Sequence, residues 1–222
     1  MNKTNITRCD FLLEGCGSDC VKEQEYFKEV KEVFDRGELI VYPTETLYAL
    51  GANPFDEKAI NRLFEVKRRP KNMPVSVAVA DIKMMKRVAE VNELAKKIYE
   101  HFLPGPLTLL LKKKADVPDV LTFGGEKIGI RVPKHPGALR IIDMVGPITA
   151  TSANLHGHPE PKNLDIALEQ LGEEVILYLD CGECEYKGAS TIVDVSDSSA
   201  KVIREGVISS EELLPLTDSE RM

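Results

Sequence analysis

Lys67-x-Arg69 is the pair in this sequence best suited to a polyphosphate. A lysine presents a compact point charge, while an arginine offers a planar fork to two oxygens. Pro70 follows and stiffens the loop that carries them. A second polar knot, Thr44-Glu45-Thr46, supplies two hydroxyls and a carboxylate, and a third, Ser152-Ala153-Asn154, supplies a hydroxyl and an amide. Each has a plainer reading: charged runs usually face solvent, and small polar residues after a strand make turns and helix caps. Together in one cleft they could handle a nucleotide, because phosphoryl chemistry mainly needs fixed positive charge and alignment.

The elements that must hold these knots follow from periodicity and punctuation. Tyr26, Phe27, Val30, Val33 and Phe34 fall on one face of a helix over Asp19 to Arg36, which Gly37 stops. Leu39 to Tyr42 is a short buried strand that delivers the Pro43 to Thr46 turn. Asp56 caps a helix whose Ile60, Leu63 and Phe64 face inward, and this helix ends at the basic knot before a strand from Val75 to Ala80. Asn92 caps a third helix, and Pro104-Gly105-Pro106 starts a strand over Leu107 to Leu111. A strand over Ile128 to Val132 carries Arg131, and a short helix lies around Leu139 to Met144. Pro147 to Thr151 runs as a strand into Ser152, and Asn163 opens a helix through Leu171. Strands over Val175 to Leu179, Thr191 to Val195 and Val202 to Arg204 close the chain. Elements mix without a regular repeat, so one α/β (α+β) domain with a mixed sheet is expected over residues 19–210. Residues 1–18 read as an extension and residues 211–222 as an acidic, frayed tail. The knots lie at strand ends, where open α/β sheets place their ligand crevices.

Composition narrows the function. The chain has 222 residues, 43% hydrophobic and 29% charged, enough to bury a core without staples. A formal net charge of -7 is the wrong sign for a binder that neutralises many phosphates, and the absence of Trp argues against a base-stacking platform. Any polyanion must be met locally, as Arg62, Lys67, Arg68, Arg69 and Lys71 could do; Lys112-Lys113-Lys114 reads as a solvated edge. No Gly-x4-Gly-Lys-Ser/Thr loop, Gly-x-Ser-x-Gly elbow or His-Glu-x-x-His helix is present. Cys181-Gly182-Glu183-Cys184 has metal or redox spacing, but it lacks a second Cys-x2-Cys pair, so reduced, idle thiols are expected, with Cys16 and Cys20 as remote candidates to join it. His156-Gly157-His158 reads as a solvated turn. No signal-type start and no apolar run approaching about eighteen residues is seen, so a cytoplasmic protein with no membrane contact is expected.

Read in order, the knots and their surroundings resemble the YrdC-like family of threonylcarbamoyl-adenylate synthases. The resemblance spans Glu32 to Ile208. It rests on Tyr42-Pro43-Thr44-Glu45-Thr46, Lys67-x-Arg69-Pro70, Leu103-Pro104-Gly105-Pro106-Leu107-Thr108, Gly129-Ile130-Arg131-Val132-Pro133, Ser152-Ala153-Asn154, Ser190-Thr191-Ile192-Val193-Asp194 and Arg204-Glu205-Gly206. It implies a twisted mixed sheet, YrdC/RibB-like, with helices around a large concave basic cleft. It also implies an enzyme that joins L-threonine, bicarbonate and ATP into threonylcarbamoyl-AMP and pyrophosphate for tRNA modification. Carried over by position, Lys67, Arg69, Asn154 and Arg204 are nucleotide contacts, with Lys67 and Arg69 catalytic. Thr46, Arg131, Ser152 and Ser190 face the threonine and its carbamate, and Thr44 and Glu45 hold the turn. ATP is a substrate, Mg2+ binds through phosphate oxygens rather than protein side chains, and the product passes to a tRNA threonylcarbamoyl transferase. Two departures are visible. Longer relatives carry a histidine where this chain has Ala78 or a neighbour, and the short, single-domain form is the better match. An RNA-binding or ribosome-associated module, or a domain using another carbamoyl donor, are the alternatives.

Overall fold

The computed structural model describes residues 4–8, 21–186 and 188–217. Helix α1 (Val21–Asp35) buries Tyr26, Val30, Val33 and Phe34 on one face, and Gly37 closes it at φ +74°, a backbone angle that costs glycine little. Strand β2 (Ile40–Tyr42) is buried on both faces: Ile40 and Tyr42 meet α1, and Val41 enters the other core cluster. After the polar turn, β3 (Ala49–Gly51) returns antiparallel, pairing Tyr42 with Ala49.

Helix α2 (Glu57–Val66) starts where expected, since the Asp56 carboxylate accepts from the Lys58 and Ala59 amides at 2.8 and 3.3 Å. It ends on Arg68, which sits at φ +49°, while the Arg69 amide donates to Phe64 O at 2.9 Å. A left-handed residue commonly closes a helix, but that residue is usually glycine. Here it sends Lys67 inward and Arg69 toward the cleft.

The remaining elements are β4 (Val77–Ala78), α3 (Ile82–Val88), α4 (Glu93–Phe102), β5 (Leu107–Lys112), α5 (Asp119–Thr122), β6 (Lys127–Arg131), α6 (Pro136–Val145), β7 (Ile148–Thr149), β8 (Thr151–Ser152), α7 (Leu164–Leu171), β9 (Leu177–Asp180), β10 (Thr191–Asp194), β11 (Lys201–Arg204) and α8 (Ser210–Thr217), with β1 (Asn5–Arg8) ahead of them all. Asn92 and Asn163 cap α4 and α7 through side-chain oxygens, as expected. Helix α3, capped by Asp81, was not expected from the sequence.

Two mixed sheets replace the single one expected. The first runs β1-β9-β2-β3-β8 and the second β11-β10-β5-β6-β4-β7. The stretch read as an extension therefore contributes a strand, since Asn5 to Arg8 pair in parallel with Leu177 to Asp180. The stretch read as a frayed tail begins as α8, with Leu213 buried in the larger core cluster. That cluster packs α2, α4 and the inner strands; α1 and α6 cover the second one with Ala138, Ile141 and Ile142.

Candidate active site

Residues of both sheets line one cleft of about 200 Å³. The first sheet supplies Thr46 from the turn after β2 and Ser152 from β8; the second supplies Thr108 from β5, Arg131 from the end of β6, Ser190 ahead of β10 and Arg204 from β11. Arg69, Pro74 and Glu160 line it as well. Six expected residues, Thr46, Arg69, Arg131, Ser152, Ser190 and Arg204, line this one space.

Lys67 and Asn154, expected as nucleotide contacts, are not among the lining residues. Lys67 is 1% exposed, and its ammonium donates to Ser152 O, to Asn154 O at 2.8 Å and to Asn154 Oδ1 at 3.3 Å. An ammonium has three hydrogens, and this one meets three oxygens. Burial, assisted by the charge of Arg69, lowers the Lys67 amine to about 7. The Asn154 amide is equally committed, accepting from Ser152 Oγ at 2.5 Å and donating to His158 O at 2.8 Å. Through these bonds both residues hold the Ser152 turn.

Arg69 is partly buried, with burial lowering its guanidinium; Nε donates to Met73 O at 3.2 Å and Nη2 to Pro74 O at 3.1 Å. Arg204 Nη2 donates to Ser190 O at 2.7 Å. Arg131 Nη2 meets Glu45 Oε1 at 2.6 Å inside the wall.

The hydroxyls have assigned directions. Thr44 Oγ1 spends its hydrogen on Leu47 O at 2.6 Å, so in its 2.9 Å contact with Thr46 Oγ1 the Thr46 hydroxyl is the donor. Ser152 Oγ likewise spends its hydrogen on Asn154 Oδ1. Both therefore present acceptor lone pairs to a ligand, suited to a hydroxyl or N–H donor. Ser190 Oγ and Thr108 Oγ1 lie 2.9 Å apart and can exchange roles. Thr108 had no assigned role in the sequence; a threonine within Leu107-Thr108-Leu109-Leu110-Leu111 was the available signal. Glu160, set between Pro159 and Pro161, gave none beyond its rigid context.

Gly206 anchors the Ser190 side. A methyl there would lie 2.3 Å from Ala189 O and 2.7 Å from Ser190 C and Thr191 N, all backbone atoms. Gly206→Ala should therefore lower the unfolding free energy by about 1–3 kcal/mol, measured by urea denaturation. A variant as stable as the parent would show that this turn yields freely.

The thiols depart from expectation: Cys181 is disulfide-bonded, and Cys184 is a free, buried thiol that burial pushes up to about 12. Cys16 and Cys20 lie outside the described residues. Among the described residues no group of three or more His, Cys, Asp or Glu could hold a metal ion, and no helix is long and apolar enough to cross a membrane. His156 and His158 are exposed, in keeping with a solvated turn.

The fold and the cleft define a two-sheet α/β protein with arginines and hydroxyls converging between the sheets. The chain belongs to the Sua5/YciO/YrdC family, whose model, described as telomere recombination, matches residues 32–206. A Methanocaldococcus jannaschii protein, provisionally named a threonylcarbamoyl-AMP synthase, is 40% identical over 192 residues, covering 86% of this chain and 89% of its own. The threonylcarbamoyl-AMP synthase of Pyrococcus abyssi is 37% identical over 179 residues, 80% of this chain, which spans 53% of that relative's length. The crystal structure of P. abyssi Sua5 complexed with L-threonine superposes with a TM-score of 0.88 at 32% identity, over 97% of this chain and 61% of that one. Escherichia coli YciO superposes with a TM-score of 0.80 at 25% identity, over 96% of this chain and 99% of its own.

Proposed function

We propose that this protein is an L-threonylcarbamoyladenylate synthase, converting L-threonine, bicarbonate and ATP to threonylcarbamoyl-AMP and pyrophosphate. The observation that carries the reading is the convergence of Thr46, Arg69, Arg131, Ser152, Ser190 and Arg204 on one cleft. The relatives named for this activity support it. The threonine amine and bicarbonate combine with loss of water to a carbamate. One carbamate oxygen then forms a bond to the α-phosphorus as the bond to pyrophosphate breaks.

The reaction brings anions together, and the chain's part is to hold them with fixed charge. Arg69 and Arg204 take the triphosphate, and Arg131 takes the carboxylate of threonine. Thr46, Ser152 and Ser190 receive the hydroxyl and the carbamate N–H. Lys67 and Asn154 serve this arrangement through the Ser152 turn. The cleft fits a cation carried by the nucleotide rather than by the protein, as Glu160 is the one carboxylate among its lining residues; Mg2+ would neutralise phosphate charge when bound. The Lys71 to Pro74 loop, held to Arg69 at Met73 and Pro74, is suited to cover the cleft, since a carbamate reverts readily in water. The mixed anhydride is consumed by a tRNA threonylcarbamoyl transferase.

Incubation with all three substrates should release pyrophosphate, with threonylcarbamoyl-AMP seen by mass spectrometry. Absence of a threonine-dependent product would sink the assignment.

A further inference from the structure

Glu45 is 1% exposed, in the turn between β2 and β3, and its carboxylate meets Arg131 at 2.6 Å. A buried carboxylate without a partner is very unfavourable, so the contact is obligatory for both groups. The neighbours do not share the load. His135 is held toward its neutral form by burial, against the pull of Glu45, and Cys184 is kept a thiol by burial. Tyr42 is likewise raised by burial. The charge of Glu45 is therefore matched by Arg131.

The contact uses one prong. Glu45 Oε2 and Arg131 Nε are both buried and unpartnered, although a carboxylate and a guanidinium ordinarily engage by two parallel bonds. Arg131 nevertheless lines the cleft. With one Nη2 hydrogen on Glu45 and Nε occluded, Nη1 and the second Nη2 hydrogen are left for a ligand. The backbones of both residues are pinned: Glu45 O accepts from Tyr186 N at 2.9 Å, and Arg131 O from Val79 N at 3.0 Å.

We propose that Glu45 is a positioning residue for the amino-acid half of the reaction. It holds the guanidinium of Arg131 so that Nη1 faces the substrate carboxylate, and the unmade second prong lets the group turn in its plane as that carboxylate docks. The proposal rests on the assignment of Arg131 to threonine, and the test separates the two.

Glu45→Gln keeps the acceptor and removes the charge. In pyrophosphate-release assays it should raise KM for threonine by about tenfold or more while KM for ATP stays within about twofold. In an Arg131→Gln background, Glu45→Gln should add less than about twofold, as expected of residues acting through one group. Equal shifts in both KM values, or full additivity, would overturn the proposal. Wild-type protein without threonine-dependent turnover would instead sink the functional assignment.

A readout independent of turnover uses the wild-type protein. Guanidinium nitrogen NMR, with the Arg131 signal identified by its loss in Arg131→Lys, should show hindered rotation and a shift on adding L-threonine alone. Free rotation of that group, or no response to threonine, would refute the positioning role.

Discussion

Arg69→Ala should lower kcat/KM for ATP by about two to three orders of magnitude while leaving the melting temperature close to the parent's. The guanidinium reaches the cleft from a partly buried position, where a charge acts on phosphate oxygens with less screening than in water. Two of its nitrogens already hold Met73 and Pro74, so it is aimed before substrate arrives and pays little to reorganise. Removing it frees two carbonyls on a loop that water can reach, which keeps the stability cost small. Arg69→Lys should recover less than about a tenth of the loss, because an ammonium cannot hold two carbonyls and face a phosphate at once. Near-normal turnover in Arg69→Ala would place the triphosphate elsewhere in the cleft.

How much of this was legible in the chain depends on whether the cause was local. Asp56, Asn92 and Asn163 announced their helices because a cap and the first turn are one short segment. The inner strands were visible as apolar runs, but β4 keeps only Val77 and Ala78 because its ladder lasts only as long as its partners β6 and β7 allow. Strand β1 was invisible for the same reason. Asn5-Ile6-Thr7-Arg8 has no hydrophobic alternation to speak of, and it becomes a strand by lying along β9, over 170 residues away. The division into two sheets also rests on such distant pairings.

The site shows the same limit at finer grain. Residue types and order single out six of the residues that line the cleft, while Lys67 and Arg69, two apart on one loop, differ in exposure: Lys67 is buried and Arg69 reaches the cleft. Between them Arg68 takes a left-handed conformation, and an arginine gives no sign of adopting it. Glu45 reads from the sequence as holding its turn, whereas its ion-pair partner Arg131 lies 86 residues away.

Lys67→Met should destabilise the protein by about 2–4 kcal/mol and reduce turnover at least about tenfold. The variant keeps the side chain's length but leaves Ser152 O, Asn154 O and Asn154 Oδ1 without their buried donor. Part of that cost is offset because no charge need then be buried. The offset gives the prediction its pH dependence. In the unfolded chain the lysine binds its proton with the ordinary value of 10.5; in the folded protein it does so at about 7. Between these the unfolded state holds more protons, so wild-type stability rises with pH. Below about pH 7 both states carry the proton and the penalty is complete. The stability of wild type relative to Lys67→Met should therefore grow from pH 7 to pH 9 in urea melts of both proteins. A difference that stays flat across that range would mean that the three oxygens hold the proton on Lys67 more firmly than burial removes it. The lysine would then be a permanent cation in the wall of the cleft, close enough to Arg69 to add its field to the phosphates.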